Sequence, residues 1–478
     1  MAANLSVNYD IPTSFVIFGA TGDLAHRKLL PSLYNLDKQG MLPAMFKVIA
    51  FARRQLSDSE YRMEIKQELQ KNFSFNFNEN SWFKFAQKIT YQQGDFNHND
   101  AYVSLAKKLN DTDMQLGVCT HKIFYLAVTP DLYEQVLKGI KQTQLQQICK
   151  NEKDTRIIME KPYGRSLQNF RELNKLALEL FSEDQIYRID HLVGKETVQN
   201  ILYFRAANPA LLTSYDCNCI ESVRINYYES LGVGGRSGYY DAYGHLKDMV
   251  QSHVLQLLAL TLMDLPVEMS PNLISKAKID IIKHLQITDL KSDVVRGQYT
   301  KGVIDGKNIN GYREETGIPR NSQTETLVKI KTKMKGGKWD GLPVTLATGK
   351  GLSHRLTEVI IHFHEIERVK GVKGGNTLII RIQPEEGIIL KLKVKKPVSD
   401  TLENADMVFK YKDSFFTMLP EAYEKIILDI VRKIEAFDLT SAELEAAWEF
   451  IDPIAKLFKT NAVELKFYPA GSNELLED

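Results

Sequence analysis

Four short clusters in this 478-residue chain carry residue types that do chemistry. The first, Phe18-Gly19-Ala20-Thr21-Gly22-Asp23-Leu24, follows an apolar run and opens a helical pattern. Glycines at such a turn let the backbone approach a pyrophosphate, which then sits on the amides at the helix start. A GxxGxL pattern also suits an ordinary tight strand–helix turn. The second, Met159-Glu160-Lys161-Pro162-Tyr163-Gly164, sets a lysine at the end of a late strand, where ligands of parallel sheets bind. A Lys-Pro step is equally a plain turn, and its peptide bond can be cis or trans. The third, Tyr187-Arg188-Ile189-Asp190-His191-Leu192-Val193-Gly194-Lys195-Glu196, holds five ionisable groups. They could form a phosphate clamp, His191 with Lys195, beside a carboxylate able to orient a base. Taken alone, the pattern favours a solvated helix start. The fourth runs from Gly238 to His253 and sets His245, Asp248 and His253 on a helix whose later half is apolar. A buried histidine is usually a satisfied core residue, but this density of polar groups favours a site. Asp248 and His253 stand roughly 140° apart on an ideal helix, so they share a pocket only if it wraps that helix.

The elements that must hold these clusters change character along the chain. Phe15–Phe18, Phe46–Ala52, Lys122–Val128 and Thr155–Met159 are short apolar runs, and Leu24–Leu36 reads as a helix. Such runs fit parallel strands buried on both faces by crossover helices, a doubly wound α/β arrangement. The second strand ends Ala50-Phe51-Ala52-Arg53-Arg54. Where an NAD site has an acid for the ribose 2′-hydroxyl, this chain has a cation, which suits the 2′-phosphate of NADP.

Beyond about residue 200 the apolar period becomes two. Val328, Ile330 and Met334 alternate with Lys329, Lys331 and Lys333, and Leu390, Leu392 and Val394 with Lys391, Lys393 and Lys395. Glu221–Tyr228, Glu358–Phe363, Thr377–Ile382 and Met407–Tyr411 are further strand candidates. One lysine face and one apolar face make a half-solvated antiparallel sheet backed by helices. Helices are expected over Asp241–Met263 and Pro420–Ile434, and from the capping box Thr440-Ser441-Ala442-Glu443 to a stop before Pro453. The division read here is residues 1–200, α/β, and 201–478, α+β with a large, mainly antiparallel sheet.

Lys+Arg 61 against Asp+Glu 60 leaves a net charge of +1, without the basic excess of a protein that lives by nucleic-acid binding. No apolar run approaches the ~20 residues of a membrane helix, and Met1–Asn8 has no signal-peptide character. Four cysteines, Cys119, Cys149, Cys217 and Cys219, are too few for a disulfide scaffold, so cytoplasm is the expected compartment. Cys217-Asn218-Cys219 reads as ordinary half-buried thiols, and no metal is expected.

Together the clusters resemble the glucose-6-phosphate dehydrogenase family, whose signatures are GxxGDLAxRKL, EKPxG, RIDHxxGKE and a downstream RDMxQNH. The matching segments are Gly19–Leu29, Glu160–Gly164, Arg188–Glu196 and Lys247–His253. The likeness continues through Arg296-Gly-Gln-Tyr299, Gly311–Glu315, Gly349-Lys350, Glu445–Trp448 and Tyr468–Gly471, in order over nearly the whole chain. It implies a Rossmann-like first domain and a larger second domain for substrate and oligomerisation. It implies oxidation of glucose 6-phosphate at C1 to 6-phosphoglucono-δ-lactone with NADP, the first step of the oxidative pentose phosphate pathway. His253 then corresponds to the general base and Asp190 to the carboxylate supporting its imidazolium. Gly19, Thr21, Gly22, Asp23, Leu24, Arg53, Asp95, Tyr125 and Lys161 correspond to coenzyme-binding positions. Lys161, His191, Lys195, Glu229, Asp248, Lys350, Arg355 and Gln383 correspond to sugar and phosphate contacts. A homodimer or homotetramer through the large sheet is the family habit.

The chain departs from the family at four places. Leu192 replaces a tyrosine whose hydroxyl joins the phosphate clamp, Ser252 replaces an asparagine, Lys247 replaces an arginine, and Lys433–Ser441 lacks a Gly-Asp turn. Leu192→Tyr is therefore expected to tighten phosphate binding. Two other readings compete: a dehydrogenase of unphosphorylated sugar, and a coenzyme-binding regulator without turnover. All residues the chemistry requires are present, which favours the sugar-phosphate enzyme.

Overall fold

Six apolar segments, Thr13–Phe18 (β1), Phe46–Ala52 (β2), Ile89–Gln93 (β3), His121–Leu126 (β4), Thr155–Glu160 (β5) and Ile186–Ile189 (β6), pair in the order β3-β2-β1-β4-β5-β6. Every neighbouring pair is parallel. This is the doubly wound order, whose reversal between β1 and β4 opens a crevice at the carboxyl ends of the strands. The computed structural model describes residues 10–72, 77–148, 155–209, 215–234, 237–415, 421–433 and 439–477. The N-terminal octapeptide, Cys149, both ends of the expected helix Pro420–Ile434 and most of Lys433–Ser441 lie outside the described residues.

Contacts gather the chain into two units: Met1–Gly164, Gln168–Gly194 and Pro420–Ser441, and then Arg165–Leu167, Lys195–Leu419 and Ala442–Asp478. A division at residue 200 makes no provision for the return of 420–441 to the first unit. Its helix, Ala422–Val431, buries Ile426, Ile427, Ile430 and Val431 in the same core as Phe15, Ile17 and Leu33.

The second unit is built on a large sheet of Ile220–Tyr228 (β7), Val294–Thr300 (β8), Leu327–Met334 (β9), Pro343–Gly349 (β10), Leu356–Phe363 (β11), Thr377–Gln383 (β12), Gly387–Lys395 (β13), Leu402–Lys410 (β14) and Leu465–Pro469 (β15). The order is β14-β13-β12-β11-β7-β10-β9-β8-β15, and the short strand Leu285–Gln286 pairs with β9. Only β7–β10 and β8–β15 are parallel pairs, so the sheet is mainly antiparallel, as the period-two pattern predicts.

Three expectations need correction. Lys329 is not on a solvated face: it is buried, and its ammonium donates to the Glu477 carbonyl at 2.7 Å. The helix from Ser441 does not stop before Pro453 but runs to Lys459, because Trp448, Ile451, Ile454 and Phe458 bury one continuous face that outweighs the missing amide. The helix expected over Asp241–Met263 breaks at Gly244 (φ +75°) and resumes as a π-helix, Leu246–Val254, before the α-helix Leu255–Leu262. A Cβ on Gly244 would stand 2.4 Å from Glu325 Oε1, so the break requires glycine. Cys217 and Cys219 are free, half-buried thiols, and Cys119 is disulfide-bonded.

Candidate active site

In the first unit the loop after β1 is held by the chain's own hydrogen bonds. The Gly19 and Ala20 amides both donate to the Phe51 carbonyl, at 2.9 and 3.2 Å, and the Tyr61 hydroxyl holds the Ala20 carbonyl at 2.8 Å. Gly19 has φ +84°, and a Cβ there would lie 2.5 Å from the Ala127 carbonyl oxygen. The glycine thus lets β1 and β4 close around the crevice, with Thr21, Gly22, Asp23 and Leu24 at the start of the following helix. That helix begins with a π-turn, Ala25–Leu29, before Leu30–Lys38. Such a cradle fits a dinucleotide pyrophosphate.

The charges at the ends of neighbouring strands sort themselves by partner. Arg54 is committed to Glu64 through bonds of 3.0 and 2.7 Å, whereas Arg53 is exposed and has no ion pair among the described residues. Asp95, after β3, is held below the usual carboxylate range, chiefly by the Asn97 amide. Tyr125 lies in the core, and its hydroxyl donates to Glu160 Oε1 at 2.5 Å. Lys161, half-buried, follows at the end of β5, and the Lys161–Pro162 bond is cis.

Asp190 and Arg188 are 4% and 2% exposed, so the third cluster is not a solvated helix start. Three hydrogen bonds account for it. Arg188 bonds Glu183 and Asn174 at 2.9 and 2.7 Å, and Asp190 Oδ1 accepts the Leu192 amide at 2.8 Å, turning the chain at the end of β6. His191 is half-buried beside it, but Leu192 is fully buried and packs rather than facing an open clamp.

The second unit carries the other positions. Lys195 Nζ and an Arg355 guanidinium nitrogen both donate to Gln383 Oε1, at 2.9 and 2.7 Å, while the Gln383 amide nitrogen donates to Thr357. Lys350 Nζ lies 2.7 Å from Glu229 Oε2. Asp248 and His253 sit on the π-helix, whose i→i+5 bonding brings residues five apart toward one face. The pocket therefore does not have to wrap the helix. His253 is 1% exposed, and its ring stacks on Tyr227, 5.6 Å between centroids. His245 is different: both its ring nitrogens bond buried hydroxyls, of Tyr240 and Thr348, making it a satisfied core histidine.

Glu160 stands beside Lys161 and was not a candidate on sequence grounds. Burial pushes its carboxyl up to about 7, against the hydroxyls of Tyr125 and Tyr423, which bond it. Tyr423 is 263 positions away, a proximity that no motif spacing signals.

A family model described as the NAD binding domain of glucose-6-phosphate dehydrogenase matches residues 16–200, and one described as the C-terminal domain of the same enzyme matches residues 202–476. The chain belongs to the glucose-6-phosphate dehydrogenase family. It is 38% identical over 475 residues to the glucose-6-phosphate 1-dehydrogenase of Borreliella burgdorferi, covering 97% of this chain and 95% of that protein. It is 36% identical over 484 residues to that of Chlamydia muridarum, with coverage of 97% and 95%. A solved glucose-6-phosphate dehydrogenase in complex with glucose 6-phosphate superposes with a TM-score of 0.88 at 30% identity, over 98% of this chain and 96% of that one. Membership of the glucose-6-phosphate dehydrogenase family fits the six-stranded nucleotide sheet and the large second sheet. No described helix is long and apolar enough to cross a membrane.

Proposed function

We propose that this chain is a cytoplasmic glucose-6-phosphate 1-dehydrogenase that oxidises C1 of D-glucose 6-phosphate to 6-phosphoglucono-δ-lactone, with NADP+ as acceptor. The observation that carries the phosphate part is the meeting of two cations, Lys195 and Arg355, on one neutral amide oxygen of Gln383. The amide brings the two cations to one point, an arrangement suited to a doubly ionised phosphate. His191 and Lys161 are the further phosphate and sugar contacts in this reading, with Glu229, Asp248 and Lys350 on the hydroxyls.

A bound nicotinamide coenzyme supplies the hydride acceptor. The chain's own residues do the rest. His253 takes the C1 hydroxyl proton, and its burial keeps that transfer away from bulk water. The Asp190 carboxylate stabilises the resulting imidazolium. Gly19, Thr21, Gly22, Asp23 and Leu24 hold the pyrophosphate, Arg53 takes the 2′-phosphate, and Asp95 and Lys161 complete the coenzyme side. Tyr125 serves that side through Glu160. A homodimer or homotetramer through the large sheet is part of the same reading, supported by the exposed Val394, Met407 and Val408 on its outer strands.

The test is the absorbance of reduced nicotinamide with glucose 6-phosphate or glucose, and NADP or NAD. Turnover is expected to need the phosphate and to prefer NADP. Equal turnover of free glucose would remove the phosphate from the reading.

A further inference from the structure

Tyr240 is 3% exposed and His245 0%, and neither has a part in the chemistry above. The Tyr240 hydroxyl and His245 Nδ1 share a hydrogen bond of 2.8 Å, as do His245 Nε2 and Thr348 Oγ1. Thr348 is two residues before Lys350 at the end of β10. Lys350 Nζ stands 5.6 Å from the centroid of the Tyr240 ring while it pairs with Glu229. The ring therefore meets the ammonium on its face and is tied through its hydroxyl to the strand that delivers the same lysine.

We propose that Tyr240 is a positioning residue for Lys350, setting the direction of its ammonium toward the sugar; this rests on the reading of Lys350 as a sugar contact. The backbone of Lys350 is already pinned, its amide to the Thr326 carbonyl at 2.8 Å and its carbonyl by the Tyr468 hydroxyl at 2.6 Å. What remains free is the four-carbon stem. An aromatic face attracts a cation through its quadrupole, more strongly where water is excluded. A phenol that donates a hydrogen bond gains electron density in its ring, so donation to His245 Nδ1 strengthens that attraction. The neutral imidazole then has Nε2–H to donate to Thr348, and both buried bonds are satisfied. An ammonium carries three donors. Glu229 takes one and the ring covers another, leaving the third for a sugar hydroxyl.

The experiment keeps a six-membered aromatic ring and changes its electrostatics: Tyr240→Phe, and pentafluorophenylalanine at 240, whose quadrupole is reversed. Both are placed in the wild-type and Lys350→Met backgrounds, with thermal melts to confirm folding. Pentafluorophenylalanine is expected to raise KM for glucose 6-phosphate roughly tenfold over the phenylalanine variant. Changes in kcat and in KM for NADP should stay within about twofold. In the Lys350→Met background the difference between the two rings should vanish. Equal KM values for the two rings overturn the inference, and so does a difference that survives Lys350→Met. A wild-type chain that does not turn over glucose 6-phosphate overturns the functional reading, and this inference with it.

Discussion

Arg53 is exposed and has no ion pair among the described residues, whereas its neighbour Arg54 is paired with Glu64. Arg53→Ala should raise KM for NADP by about tenfold or more while leaving KM for NAD nearly unchanged, since a hydrogen bond to an ion contributes about 1.5–3 kcal/mol. Equal losses with both coenzymes would move the discrimination elsewhere. His253→Asn should lower kcat by about 10²–10⁴-fold with little change in KM, and Asp190→Asn should give a smaller loss of the same kind. His245 is no substitute, because both its nitrogens are spent inside the core. Local pattern set Arg53 and Asp190 just after strands and His253 on a helix, and the structure has them there. Burial was not legible. Leu192 looked like a missing phosphate ligand, yet it is fully buried, and a tyrosine there must find room in packed surroundings. Leu192→Tyr is thus expected to cost about 1–3 kcal/mol of stability, read as a lower melting temperature, with no gain in KM.

The elements show the same division. Alternating lysines gave the antiparallel sheet and apolar runs the parallel one, since period reports which faces are covered. The π-helix Leu246–Val254 was hidden, because one helical pattern fits either winding over so short a stretch. Its start depends on Glu325, whose Oε1 accepts the Leu246 amide at 3.0 Å and whose carbonyl accepts the His245 amide. Another buried carboxyl makes a pH prediction. Glu160 titrates near 7 in the fold against 4.5 ordinarily, facing Tyr125, Tyr423, Lys161 and Asp190. A raised carboxyl means that the folded state holds more protons than the unfolded state between these values, so wild-type stability falls as pH rises through that window. Melts of wild type and Glu160→Gln from pH 4 to 8 should show the wild type losing ground to the variant across the window and then levelling off. Parallel curves would show that the Glu160 carboxyl titrates alike in the folded and unfolded chain.

At the scale of the molecule, the first unit is assembled from distant stretches of chain. Without residues 421–441 it would expose the apolar partners of Ile426, Ile427 and Ile430, each contributing about 1.5–3 kcal/mol when buried. A fragment of residues 1–200 should therefore melt at a lower temperature than residues 1–194 joined by a flexible linker to 421–441. Equal melts would mean that the returning helix is a passenger. Nothing in the order of motifs announces this closure, since all four clusters precede residue 254.

The returning segment also sets a timetable. A ribosome delivers residue 194 long before residue 441, and at about 5–20 residues per second the gap lasts roughly 12–50 s. For that time the nascent nucleotide sheet carries an uncovered apolar strip, and its last helix has yet to be synthesised. Most of the second unit is made in the interval, so the first unit to be started is among the last to be finished. Nascent chains stalled near residue 300 should be cut readily by protease within 1–194, and chains stalled with residue 441 outside the exit tunnel should resist.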